Sequence, residues 1–198
     1  MALFEHQHQQ QRQLKTDRIN HPALVGQDGP AVIHFYTQVL GMPLVLRQPN
    51  LDFPTLEHLF FDCGNDCFIA YFVPASDQQP LDPPVNPQGL GTGWSPGSLR
   101  HLAFDVSPEV FSAAQVTLKE HGITFRGPIS RGYEVSIYFP DPSGYTLEFL
   151  TWTTPPPADL PQAQIIARAQ RIREAAGAAY VDDPHIRQAI DELRAERP

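Results

Sequence analysis

The feature that most constrains this chain is an internal repeat. Residues 58–72, HLFFDCGNDCFIAYF, align without a gap against residues 136–150, SIYFPDPSGYTLEFL. Each copy reads as a strand, a tight turn and a second strand, because a β-branched and aromatic run is broken by Gly, Pro, Asn or Asp and then resumes. Upstream, INHPALV (19–25) and LRHLAFDV (99–106) share the order apolar, polar, His, any residue, Ala, apolar, so His21 matches His101. Each is followed by a helix-like segment, GPAVIHFYTQVLGM (29–42) or PEVFSAAQVTLKEHGI (108–123), with a glycine where the helix should stop.

Each half is therefore a strand, a helix and about three strands, too small to bury its own sheet face. The predicted fold is α+β: two paired βαβββ modules forming a curved mixed sheet around a central cleft, with extra C-terminal helices. Such a cleft suits a small-molecule substrate. The modules are expected at 17–73 and 98–153, joined by a Pro/Gly-rich loop at 74–97, so that one domain spans 17–153. Residues 1–16, rich in Gln and His, read as a mobile tail. Residues 154–198 read as a helical extension, from the apolar spacing within IIARAQRIREAAGAAY and PHIRQAIDELRAE. Those helices would pad the domain or meet a second subunit in a homodimer.

Charge narrows the partners. Against 22 Asp and Glu stand 14 Lys and Arg, a net charge of -8, with no basic run interleaved with aromatics, so nucleic acid is not an expected partner. The opening MALFEHQHQQQRQLKTDR lacks an apolar stretch of signal-peptide length, and no window approaches the roughly 18 apolar residues of a membrane span. A cytoplasmic location without a membrane partner is the expectation. Cys63 and Cys67, around a Gly-Asn-Asp turn, read as free thiols.

Side chains alternate along a strand, so His21 and Ala23 share a face, as do His101 and Ala103 in the first strand of the second half. In the strand that ends the second half, Thr146, Glu148 and Leu150 share a face, and Glu148 is the one charge in an apolar run. Its repeat mate is Ala70. An isolated buried carboxylate costs several kcal/mol unless it is paired or bound to a metal. Two imidazoles and a carboxylate on one side of a divalent ion leave its other positions open, an arrangement suited to Fe(II), with Mn(II) or Zn(II) as alternatives. Taken singly, each His or Glu is more often an ordinary hydrogen-bonded or solvated strand residue. It is the conjunction at repeat-equivalent positions that makes His21, His101 and Glu148 the candidate metal ligands.

These residues resemble the vicinal oxygen chelate superfamily, which includes glyoxalases, extradiol dioxygenases and bleomycin-binding proteins. The resemblance covers about residues 18–153, and its marks are HFYTQVLGMPLV and YFPDPSGYTLEF. It implies the paired-module fold and metal ligands at His21, His101 and Glu148. Four-ligand glyoxalases carry a further ligand where this chain has Ala70, so the resemblance is nearest to the three-ligand, extradiol dioxygenase-like members. In the extradiol signature the residue matching Tyr138 hydrogen-bonds the metal-bound catecholate, which makes Tyr138 a candidate catalytic residue; an aromatic plug in the sheet is the plain alternative, since Phe60 holds the equivalent place. That signature also has an upstream His, and the matching ISRGYEV has none. Ring cleavage needs a positioned base, and His58, Arg131 or Tyr133 would substitute. The expected function is metal-dependent, dioxygenase-like chemistry on a catechol-type substrate. The alternatives are glyoxalase-type lyase or isomerase chemistry at the same metal, and capture of a small molecule without catalysis.

Overall fold

The computed structural model describes residues 19–75, 78 and 99–197; the expectations for residues 1–16 and for most of the 74–97 loop lie outside the described residues. The first half runs β1 (Ala23–Val25), α1 (Gly29–His34), β2 (Leu44–Pro49), β3 (Leu56–Asp62) and β4 (Phe68–Pro74). The second half repeats it as β5 (Leu102–Asp105), α2 (Pro108–Glu120), β6 (Arg126–Ser130), β7 (Glu134–Pro140) and β8 (Thr146–Trp152). Helices α3 (Gln162–Ala175) and α4 (Asp183–Ala195) follow. The sheets have the same order, β1-β4-β3-β2 and β5-β8-β7-β6, so the first strand of each half inserts parallel beside the last. Among the described residues no helix is long and apolar enough to cross a membrane.

Local signals explain these elements. Asp28 caps α1 by accepting from the Ala31 N–H at 3.0 Å, and Ser107 caps α2 by accepting from the Val110 N–H at 3.3 Å, each before a proline in the first turn. Gly41 and Gly122 follow the two helical segments with φ of +70° and +69°, the left-handed conformation that stops a helix. The expected single helix over 29–42 departs from regularity: after His34 the chain widens into a π-helical turn over Phe35–Val39, with the Leu40 N–H bonding the Phe35 carbonyl at 3.0 Å. Neighbouring Phe35 and Tyr36 are both buried there, in an edge contact of 5.2 Å.

Odd-numbered residues of β4 and β8 point into one shared core. Ile69, Tyr71 and Val73 from the first half join Leu147 and Phe149 from the second, closed by Val32, Phe35 and Tyr36 on one side and Phe111 and Leu118 on the other. A second core, made by Trp152, Leu160, Ile165, Ala169, Ile186, Ala189 and Ile190, fastens α3 and α4 to the end of β8.

One carboxylate crosses between the halves. Asp141, 5 % exposed in the β7–β8 turn, accepts from the Tyr36 hydroxyl at 3.1 Å and from the Tyr71 hydroxyl on one oxygen. Its other oxygen accepts the backbone N–H groups of Ser143 and Tyr145 at 2.9 and 2.8 Å. Burial pushes both phenols above their ordinary range, and burial also pushes the Asp141 carboxyl up against the pull of its four hydrogen bonds. Replacing Asp141 with Ala would orphan two phenols and two turn amides, so the unfolding free energy in urea should fall by about 3 kcal/mol. A carboxyl whose folded pKa is raised contributes stability that is full below its unfolded pKa, roughly 4, and is lost as pH rises through the folded value. Measured against Asp141→Asn, the wild-type protein should therefore lose relative stability as pH rises through that window.

Candidate functional site

Register aligns one residue from each strand of the second sheet: Arg126 opposite Tyr138, Tyr138 opposite Glu148, Glu148 opposite Ala103. Across the first sheet the equivalent row is Leu46, Phe60, Ala70 and Ala23. One backbone arrangement thus carries an apolar row in one half and a row of polar and charged groups in the other.

Glu148 is 4 % exposed, and both its oxygens are engaged. The Tyr138 hydroxyl donates to Oε1 at 2.6 Å, and His101 Nε2 lies 2.9 Å from Oε2. His101 stands just before β5, and its side chain remains 37 % exposed. Burial is the first of the causes that push the nearby Glu134 carboxyl up, followed by Glu148 and Asp105, while Arg131 pulls it down. His101 and Glu148 supply two of the donors that a divalent cation takes. Two ligands held at ~2.0–2.2 Å from one ion and at right angles lie about 3 Å apart, the separation of His101 Nε2 and Glu148 Oε2.

His21 and His58 lie on the first half. His21 Nδ1 is 2.6 Å from Asn20 Oδ1, and its ring centre is 4.9 Å from that of Phe60. His58 packs between Phe60 and Phe72, each 4.7 Å away, with Nε2 buried and unpartnered among the described residues. Burial, then His21, lowers the His58 pKa. A cleft of about 800 Å³ between the halves is lined by His21, Cys63, Cys67, Leu102 and Phe104; both cysteines are free thiols. Among the described residues no three His, Cys, Asp or Glu side chains are gathered closely enough to hold a metal ion. One chain therefore brings together His101, Glu148 and Tyr138, while His21 and His58 stand on the first half, with His21 lining the cleft beside Ala103 and Phe104.

The model of the Glyoxalase/Bleomycin resistance protein/Dioxygenase superfamily matches residues 18–149. The chain belongs to that superfamily. A glyoxalase/dioxygenase from Nostoc punctiforme is 25 % identical, with a TM-score of 0.52 over 70 % of this chain and 92 % of its own. A glyoxylase/bleomycin resistance protein/dioxygenase domain from Frankia sp. EAN1pec is 16 % identical, with a TM-score of 0.55 over 70 % of this chain and 99 % of its own. TnmS3, an antibiotic binding protein from Streptomyces sp. CB03234, is 18 % identical, with a TM-score of 0.53 over 71 % of this chain and 100 % of its own. The last two share the fold.

Tyr133, weighed as a base, packs its ring against Trp152 at 4.9 Å, and burial pushes its phenol up. Arg126 escapes a reading of the sequence alone, because the signal that finds it is the β6–β7 register, which shifts between Arg126 and Ile129 beside Gly127 and Pro128. Tyr138→Phe removes one of the two partners of a buried carboxylate. Its expected effect is a loss of about 1–2 kcal/mol in urea denaturation, with the fold retained by circular dichroism.

Proposed function

We propose that this superfamily member is a metal-dependent enzyme of the extradiol dioxygenase-like type, acting on a small molecule with two adjacent oxygens, and that His101 and Glu148 are two of its metal ligands. The observation that carries the reading is the buried Glu148, with one oxygen 2.9 Å from His101 Nε2 and the other held by Tyr138. A bound ferrous ion, or Mn(II) or Zn(II) in a lyase or isomerase variant of the chemistry, would supply Lewis acidity and a template for the two oxygens. Glu148 contributes fixed negative charge, and Tyr138 orients that carboxylate while offering its phenol to a substrate oxygen. His101 presents an exposed edge to the ligand side.

The third ligand, His21, would come from a second copy. Its strand β1 and the neighbour of His101, β5, are both outer strands of their sheets. A two-fold dimer that sets β1 of one copy beside β5 of the other would bring the first-half face, with His21, Phe60 and His58, over the second-half face. His58 would then stand as the base that ring cleavage needs.

Protein purified without chelator should contain close to one divalent ion per chain by elemental analysis, and loading with Fe(II) should raise its melting temperature. Glu148→Ala should abolish both effects; stoichiometric metal in that variant would sink the assignment. O2 uptake across a catechol panel tests the chemistry. Mixing His21→Ala with Glu148→Ala chains should restore part of the metal content that each lacks alone, since a mixed dimer holds one intact site. Capture without catalysis, in the manner of an antibiotic binding protein of this fold, is the second reading, favoured because no three metal-ligating side chains are gathered among the described residues. A metal-free protein whose melting temperature no divalent ion changes would decide for it.

A further inference from the structure

The row across the second sheet ends on a cation, and a second cation joins it. The Arg126 guanidinium carbon stands 5.6 Å from the centre of the Tyr138 ring. Arg131, in the turn after β6, stands 5.5 Å from the same ring and donates from Nε to the Tyr138 hydroxyl at 3.3 Å. That hydroxyl is the one bonded to Glu148 at 2.6 Å. Both arginines are exposed, and among the described residues neither is within ion-pair distance of a carboxylate. A guanidinium held over an aromatic ring with at most one hydrogen bond keeps most of its five N–H donors free.

The loop that carries Arg131 is held from behind. Gly132 has φ +93°, and a Cβ there would collide with the Val181 carbonyl oxygen between α3 and α4. Tyr133 packs on Trp152, and its carbonyl accepts the Thr153 N–H at 2.9 Å. The Arg131 N–H bonds the Glu134 carbonyl at 2.8 Å. Ordering an arginine-bearing loop in advance removes an entropic penalty that binding would otherwise meet.

Resting on the reading of the Glu148 face as the ligand site, we infer that Arg126 and Arg131 form a pair that recognises an anionic group, a carboxylate or a phosphonate, on the small molecule bound there. The alternative role for the pair, stacking on Tyr138 alone, would alter stability without distinguishing a charged ligand from a neutral one of the same shape. The probes are 2-hydroxybenzoate, its neutral analogue 2-hydroxybenzamide, and phenylphosphonate.

Calorimetric titration of each probe into the full chain tests the inference, with Arg126→Gln, Arg131→Gln and the double variant in parallel and metal content measured on every sample. At least one anion should bind about tenfold or more tighter than the amide, and should weaken as salt is raised. Each single variant should lose about five- to tenfold of the anion affinity at unchanged metal content while amide binding is unchanged. Which anion is preferred separates carboxylate from phosphonate. An amide that binds as well as both anions, variants that bind as wild type does, or no binding of any probe at millimolar concentration would overturn the inference. A metal-free protein that still prefers the acid leaves the arginine pair standing while the metal assignment fails. A metal-loaded protein indifferent to ligand charge overturns the pair alone.

Discussion

The arrangement of the two halves rests on one buried carboxylate. Asp141 gathers two phenols from the first half and two backbone amides from its own turn, and a charge so buried would cost several kcal/mol without them. Because the turn that Asp141 closes leads directly into β8, the same residue sets where Glu148 stands relative to the first half. Tyr36 and Tyr71 belong to the shared apolar core, so the polar junction is embedded in the packing. The Asp-Pro-Ser-Gly stretch is therefore structural before it is functional. Its aspartate joins the modules, and the strand after it carries Glu148.

Given that junction, the halves diverge by very few residues. Both hairpins keep the same lengths, with β7 starting at residue 134 against 56 for β3, and β8 at 146 against 68 for β4, an offset of 78 in each case. On this common frame the facing rows differ at three of four positions: Arg126 for Leu46, Tyr138 for Phe60 and Glu148 for Ala70, with Ala103 matching Ala23. A buried charge needs partners, and Glu148 has them in Tyr138 and His101. Tyr138 satisfies Glu148, and Arg131 donates to Tyr138. The network is a unit whose members each relieve a cost that another creates.

These relations were unevenly legible in the sequence. The hairpins and the first strands could be read because their periodicity and turn lengths repeat without gaps, and Glu148 stood out because one charge breaks an apolar strand whose counterpart carries Ala70. Arg126 was hidden by the register shift in the β6–β7 ladder, and Asp141 by sequence distance, its phenol partners lying 105 and 70 residues away. The relation of His21 to His101 exposes a subtler limit. Internal symmetry says that two residues occupy equivalent places in equivalent modules, and their strands do so here. It does not say how the modules pack, and contact between the two faces depends on packing.

The C-terminal helices change what the second face can admit. Leu150 and Trp152 follow Glu148 on the same side of β8, and both belong to the core beneath α3 and α4, while Gln162 at the start of α3 bonds Asp105 at 2.8 Å. The superfamily match ends at residue 149, so this covering lies outside the shared modules. It seals the apolar end of the face and leaves His101, Tyr138 and the two arginines at the open end. The exposed Arg126 and Arg131 guanidinium groups stand beside Tyr138, whose phenol is bonded to Glu148. In a chain of net charge -8, that local reversal of sign would favour anions over cations at short range, where screening by salt is weakest.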